Sequence, residues 1–115
     1  MDLEKLEGHL LKQGHSTFSA LQSWKKRLFV LRPTENTLDY YDDSKNPRAL
    51  KGSIELKRGA RVLDAPTPEH AFVVISASGT RYPLQASSQD EKARWMRTIS
   101  ALLEGEREVE TRYNY

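Results

Sequence analysis

Through the first three quarters of the chain, apolar residues fall in short runs that alternate with polar ones and stop at Gly, Pro, Asn, Asp or Ser. Alternation of this kind is the mark of half-buried strands. It predicts strands over Glu7–Gln13, Trp24–Leu31, Thr37–Asp42, Gly52–Leu56, Ala60–Leu63, Ala71–Ser76 and Arg81–Gln85. The second is the strongest, rich in aromatic and branched residues and ended by Arg32-Pro33. Pro33–Asn36 and Ser78-Gly79 read as hairpin turns, and AFVVIS (71–76) as a strand buried on both faces. From Ser88 the period changes. Ala93, Trp95, Met96, Ile99, Leu102 and Leu103 lie at helical spacing, and Ser88 with Glu91 forms a capping box. Gly105 is expected to end the helix, leaving EREVETRYNY as a frayed, charged tail.

The charges change this picture. Gly8 to Arg32 carries Lys12, Lys25, Lys26, Arg27 and Arg32 and no Asp or Glu, which implies an anionic partner. Side chains alternate across a strand, so Lys25 and Arg27 share a face with Phe29 and Leu31, and Lys12 shares one with Leu10. Basic side chains on the core-facing side are tolerable only where the core opens to water. The expected architecture is therefore mainly β: a strongly bent barrel or sandwich with a cationic mouth, closed at its other end by the amphipathic helix. Lys26 has the opposite parity and belongs outside the mouth.

Composition narrows the functional classes. At 115 residues, 37% hydrophobic and 30% charged, the chain is one soluble globular domain. Absence of cysteine excludes a disulfide scaffold and a Cys-ligated zinc site. His9, His15 and His70 are too scattered for a metal site, so no metal or cofactor is expected. No apolar run is long enough to span a bilayer, and the N-terminus has no signal-peptide pattern. Asp2 stands where an N-myristoylation signal needs glycine, so membrane contact is expected to be peripheral. Catalysis finds no support: there is no Cys nucleophile and no phosphate-cradling Gly-rich loop. No stacking platform accompanies the basic strands, so nucleic acid is not an expected partner.

Seven strands followed by one C-terminal helix, with particular residues in place, resemble the pleckstrin homology (PH) domain. The matching pieces are GHLLK (8–12), WKKRLFVL (24–31), LDYY (38–41), GSI (52–54) and Trp95 within the helix. The resemblance covers roughly Glu7 to Glu104, which divides the chain into a lead (1–6), a PH-like domain (7–104) and a charged tail (105–115). It implies a seven-stranded, strongly bent antiparallel barrel capped by one helix.

The resemblance also implies a function. Members that bind phosphoinositides carry a lysine in the first strand and a basic-x-Arg pattern in the second, which falls here on Lys12, Lys25 and Arg27. A third-strand tyrosine and a basic residue before the fourth strand correspond to Tyr40 and Lys51. Several ammonium and guanidinium groups converging from adjacent strands suit an inositol phosphate, with Arg providing a bidentate fork. The first inter-strand loop departs from the pattern: it has no Lys or Arg but carries Phe18 and Leu21, expected to dip into the bilayer interface. The expectation is a non-enzymatic, cytoplasmic module that recruits its protein reversibly to an anionic membrane through a phosphoinositide headgroup. The rival expectation is a protein-interaction module that binds a peptide or a small GTPase, with only general attraction to anionic lipid.

Overall fold

In the computed structural model of the chain, residues 6–14 and 23–113 are described, their side chains through residue 105. Seven strands and one helix follow in the order β1 (Leu6–Gln13), β2 (Trp24–Arg32), β3 (Thr37–Asp42), β4 (Ala49–Glu55), β5 (Arg61–Asp64), β6 (Ala71–Ile75), β7 (Arg81–Gln85) and α1 (Gln89–Tyr113). They form a single antiparallel sheet in the spatial order β4-β3-β2-β1-β7-β6-β5. β1 pairs with β2 over its full length but with β7 only at Leu11↔Gln85 and Lys12↔Leu84. The sheet bends over at this narrow seam and encloses one core.

That core is built from the alternating positions. Phe29 and Leu31 of β2, Leu38 of β3, Ile54 of β4, Phe72 and Val74 of β6 and Leu84 of β7 are fully buried. Trp95, Ile99, Leu102 and Leu103 of α1 close it. Trp95 lies close to Gly8, where a Cβ would sit 3.6 Å from the indole, in ordinary contact. At the helix start, Ser88 Oγ accepts from Glu91 N at 3.1 Å, so the predicted N-cap is present. Lys92 Nζ reaches Asp64 Oδ1 of β5 at 2.5 Å and ties the first turns of α1 to the sheet.

Three features differ from the sequence reading. β4 begins at Ala49, earlier than the expected Gly52, because a bulge interrupts its register: Tyr40 pairs with Gly52 and Tyr41 with Leu50, leaving Lys51 without a partner on β3. The extra residue breaks the alternation by which a strand is recognised. Second, Gly105 does not end the helix, which continues to Tyr113. A helical glycine costs about 1 kcal/mol, and the good helix formers that follow it in sequence offset this. Third, β2 is buried on both faces from Leu28 to Leu31. Leu28 and Val30 lie opposite Tyr41 and Asp39. Arg32 joins those two side chains through Nε to Asp39 Oδ2 and through a terminal nitrogen to the Tyr41 hydroxyl, both at 2.9 Å.

Candidate functional site

β1 and β2 carry the basic side chains beyond the last core layer, Lys12 on the first and Lys25 and Arg27 on the second, and β3 places Tyr40 beside them. Lys12 lies directly opposite Lys25 across the β1–β2 ladder, and Arg27 lies opposite Leu10, one step nearer the core. Like charges on facing positions repel. No carboxylate among the described residues forms an ion pair with any of the three, though the charge of Asp42 interacts with Arg27. Lys25 is exposed, Lys12 and Arg27 half-buried. Among the described residues, Arg27 donates only to its neighbour's backbone, the Lys26 carbonyl, at 3.1 Å. Its guanidinium therefore keeps most of its donors.

Lys12 is the most constrained of the three. Its Nζ lies 5.1 Å from the centre of the Tyr40 ring and 5.8 Å from that of Tyr82. Partial burial, and then the Arg27 charge, hold its pKa below the ordinary lysine value. Tyr40 stacks on Phe29 with centroids 5.3 Å apart and is thereby fixed to the core. Burial and the neighbouring Tyr82 push the Tyr40 phenol up, while Arg27 opposes them, so it stays a neutral hydrogen-bond donor. Gly52, opposite Tyr40 on β4, is needed for this packing: a Cβ there would run into the Tyr40 hydroxyl and ring.

Thus Lys12, Lys25, Arg27 and Tyr40, each expected from the sequence, converge on one mouth. Lys51 is exposed at the β4 bulge and is paired with no β3 residue. Phe18 and Leu21 lie outside the described residues. Lys26 points to the other face, as its parity requires, where it lines a cleft of about 170 Å³ with His9, Leu11 and Gln85. Arg48 stacks on Tyr41 at 4.3 Å, on the outer side of β3.

Three residues have surroundings that the sequence did not signal. Strand alternation divides the adjacent acids Asp42 and Asp43. Asp43 leaves on the outer face, where its carboxylate meets His9 Nε2 at 2.7 Å and is held below the usual carboxylate range by that bond. Asp42 shares the Tyr40 face and accepts from the Ser44 hydroxyl and backbone N–H at 2.6 and 3.0 Å. Those bonds lower its pKa first, and Arg27 lowers it further. Tyr82 gave no signal at all, because β7 meets β3 only through the folding of the sheet. Its ring is 6.4 Å from Tyr40, tilted by 58°.

The mouth thus combines three cations, a phenol fixed in place and an aromatic floor. It can hold a multiply charged anion presented from solvent or from a surface. Among the described residues no helix is long and apolar enough to cross a membrane, and no His or carboxylate cluster could hold a metal ion.

Comparison with known proteins agrees with this geometry. The family model described as "PH domain" matches residues 4–104. Pleckstrin-2 of Homo sapiens is 37% identical over 107 residues, an alignment covering 84% of this chain and 29% of pleckstrin-2. The chain therefore spans less than a third of the length of pleckstrin-2. Oxysterol-binding protein-related protein 11 of Mus musculus is 29% identical over 96 residues, covering 82% of this chain and 12% of that protein. Among solved structures, the C-terminal PH domain of pleckstrin in complex with D-myo-Ins(1,2,3,5,6)P5 superposes with a TM-score of 0.75 at 32% identity, covering 90% of this chain and 99% of that one.

Proposed function

Because the chain belongs to the PH domain family, we propose that it binds the phosphorylated inositol headgroup of a phosphoinositide in the mouth formed by β1, β2 and β3, and thereby brings its protein reversibly to an anionic membrane. The observation that carries this reading is the facing of Lys12 and Lys25 with Arg27 beside them. Three cations gathered with no ion-paired carboxylate among the described residues destabilise the free fold, and a polyanion relieves the repulsion. Lys12, Lys25 and Arg27 bind phosphate, Arg27 by its two-pronged fork, and Tyr40 donates its hydroxyl. Lys51 adds charge at the rim, and Phe18 and Leu21 enter the interface beside the headgroup.

The relatives support this reading: the pleckstrin C-terminal PH domain has been solved with two different inositol pentakisphosphates. The reading is of a binding module, with no chemical step. Each basic side chain near an anionic leaflet contributes about 1 kcal/mol, and that part weakens with salt. Specificity has to come from the mouth itself.

The test is co-sedimentation with vesicles of phosphatidylserine, phosphatidic acid, or each mono-, bis- and trisphosphorylated phosphoinositide, at about 150 mM salt. Selective pelleting with particular phosphoinositides, lost in the K25A/R27A double variant while its thermal stability is not lowered, is the expected result. Pelleting that follows total negative charge reduces the mouth to a general basic surface. No pelleting with any vesicle overturns the reading in favour of a protein partner.

A further inference from the structure

We propose that Tyr82 is a positioning residue of the mouth: with Tyr40 it forms a two-walled aromatic cup that holds the Lys12 ammonium in place to receive a phosphate. This rests on the headgroup reading above and adds to it a residue from the far side of the sheet bend.

Lys12 of β1 pairs with Leu84 of β7 at one of the two contacts where the sheet folds over. Tyr82 lies two residues from Leu84 and so faces the same way. Its ring consequently reaches over the mouth, 6.4 Å from Tyr40 and 5.8 Å from Lys12 Nζ. One cation lies within contact range of two rings carried by strands that are not neighbours in the sheet. Tyr82 is partly buried and packs against the core.

Such a cup has two physical consequences. A lysine side chain is long and flexible, and fixing it when a ligand arrives costs entropy. Contact with two rings fixes it beforehand. The negative faces of the rings also favour the charged amine, opposing burial and the Arg27 charge, both of which disfavour it. The ammonium has three N–H donors; among the described residues one reaches the Gln13 carbonyl, at 3.5 Å, and the others remain for a phosphate oxygen.

The test compares Y82F, which keeps the ring, with Y82L, which removes it. Binding is measured by calorimetry with inositol hexakisphosphate and by sedimentation with vesicles containing phosphatidylinositol trisphosphate, which separates the soluble from the lipid-borne source of the same chemistry. Y82L is expected to weaken both by ~3–10-fold, the scale of one cation–π contact and the order it imposes, while Y82F stays within ~2-fold. In a K12M background Y82L is expected to have no further effect, because the tyrosine acts through Lys12. In the free wild-type protein, the Lys12 ε-methylene protons are expected to be shifted upfield by the two rings in NMR spectra.

Binding by Y82L equal to wild type overturns the proposal, as does an equal loss in the K12M background, which would make the tyrosine merely structural. An unshifted Lys12 ε-methylene overturns it even if Y82L fails to fold. A wild type that binds neither probe overturns the headgroup reading along with it; a wild type that binds while Y82L is unaffected overturns this proposal alone.

Discussion

Replacing Lys12 by methionine is expected to make the domain more stable and less able to bind. The lysine carries a half-buried ammonium opposite Lys25 and near Arg27, and its pKa is lowered by burial first and by Arg27 second. Partly exposed like-charge contacts of this kind cost about 0.5–1 kcal/mol. Methionine has a similar length and no charge. The lost cation–π contact, about 0.5–1 kcal/mol, is offset by sulfur–ring contacts of about 0.3–1.5 kcal/mol. A net gain of about 0.5–1 kcal/mol raises the Tm of a domain this size by ~2–6 °C.

Binding moves the other way. Hydrogen bonds made by a charged group are worth about 1.5–3 kcal/mol, so affinity for a phosphoinositide vesicle falls ~10–150-fold. The pH dependence gives a further check. A lysine with a lowered folded pKa destabilises fully while both folded and unfolded chains hold the proton. The penalty fades as pH rises through the folded pKa toward the ordinary lysine value near 10.4. The stability advantage of K12M is therefore full at neutral pH and shrinks toward about pH 10.5. Thermal unfolding of both proteins across this range is the assay. A lower Tm for K12M at neutral pH, or undiminished vesicle binding, refutes the reasoning.

Other residues give sharp outcomes as well. G52A places a methyl group against the Tyr40 ring; a loss of about 1–3 kcal/mol is expected from overpacking, and the G52A/Y40L pair should recover much of it, as a double-mutant cycle in chemical denaturation would show. D42N keeps the acceptor for Ser44 but removes the negative charge near Arg27; vesicle affinity is expected to rise ~2–5-fold, the scale of one partly exposed charge interaction, and weaker binding would remove Asp42 from the mouth. The Asp64 carboxyl is held below its ordinary pKa, chiefly by the hydrogen bond from Lys92. Its contribution is then present above the unfolded pKa of about 3.9 and is lost as pH falls through the folded value. The stability difference between wild type and D64N should be full at neutral pH and disappear in strong acid.

The chain's linear order determined a good deal. Alternation in WKKRLFVLR, together with the parity of Lys12, Lys25 and Arg27, was enough to put three cations on the core-facing side of adjacent strands, because side-chain period depends only on the local backbone. Helical spacing from Trp95 to Leu103 likewise marked the element that closes the core. Local signals failed where the ladder departs from regularity: the bulge at Lys51 hid the start of β4, and good helix formers carried α1 past Gly105.

Only the tertiary structure decided what surrounds those cations. Tyr82 lies seventy positions from Lys12 in sequence and meets it because the sheet bends at a two-residue seam. The neighbouring acids Asp42 and Asp43 part to opposite faces, one toward Arg27 and the other to His9, thirty-four positions away. A sequence specifies which way each side chain points from its own strand. Which distant strand it then faces is fixed by how the whole sheet folds to bury its apolar side, and that packing assembles the aromatic cup around Lys12.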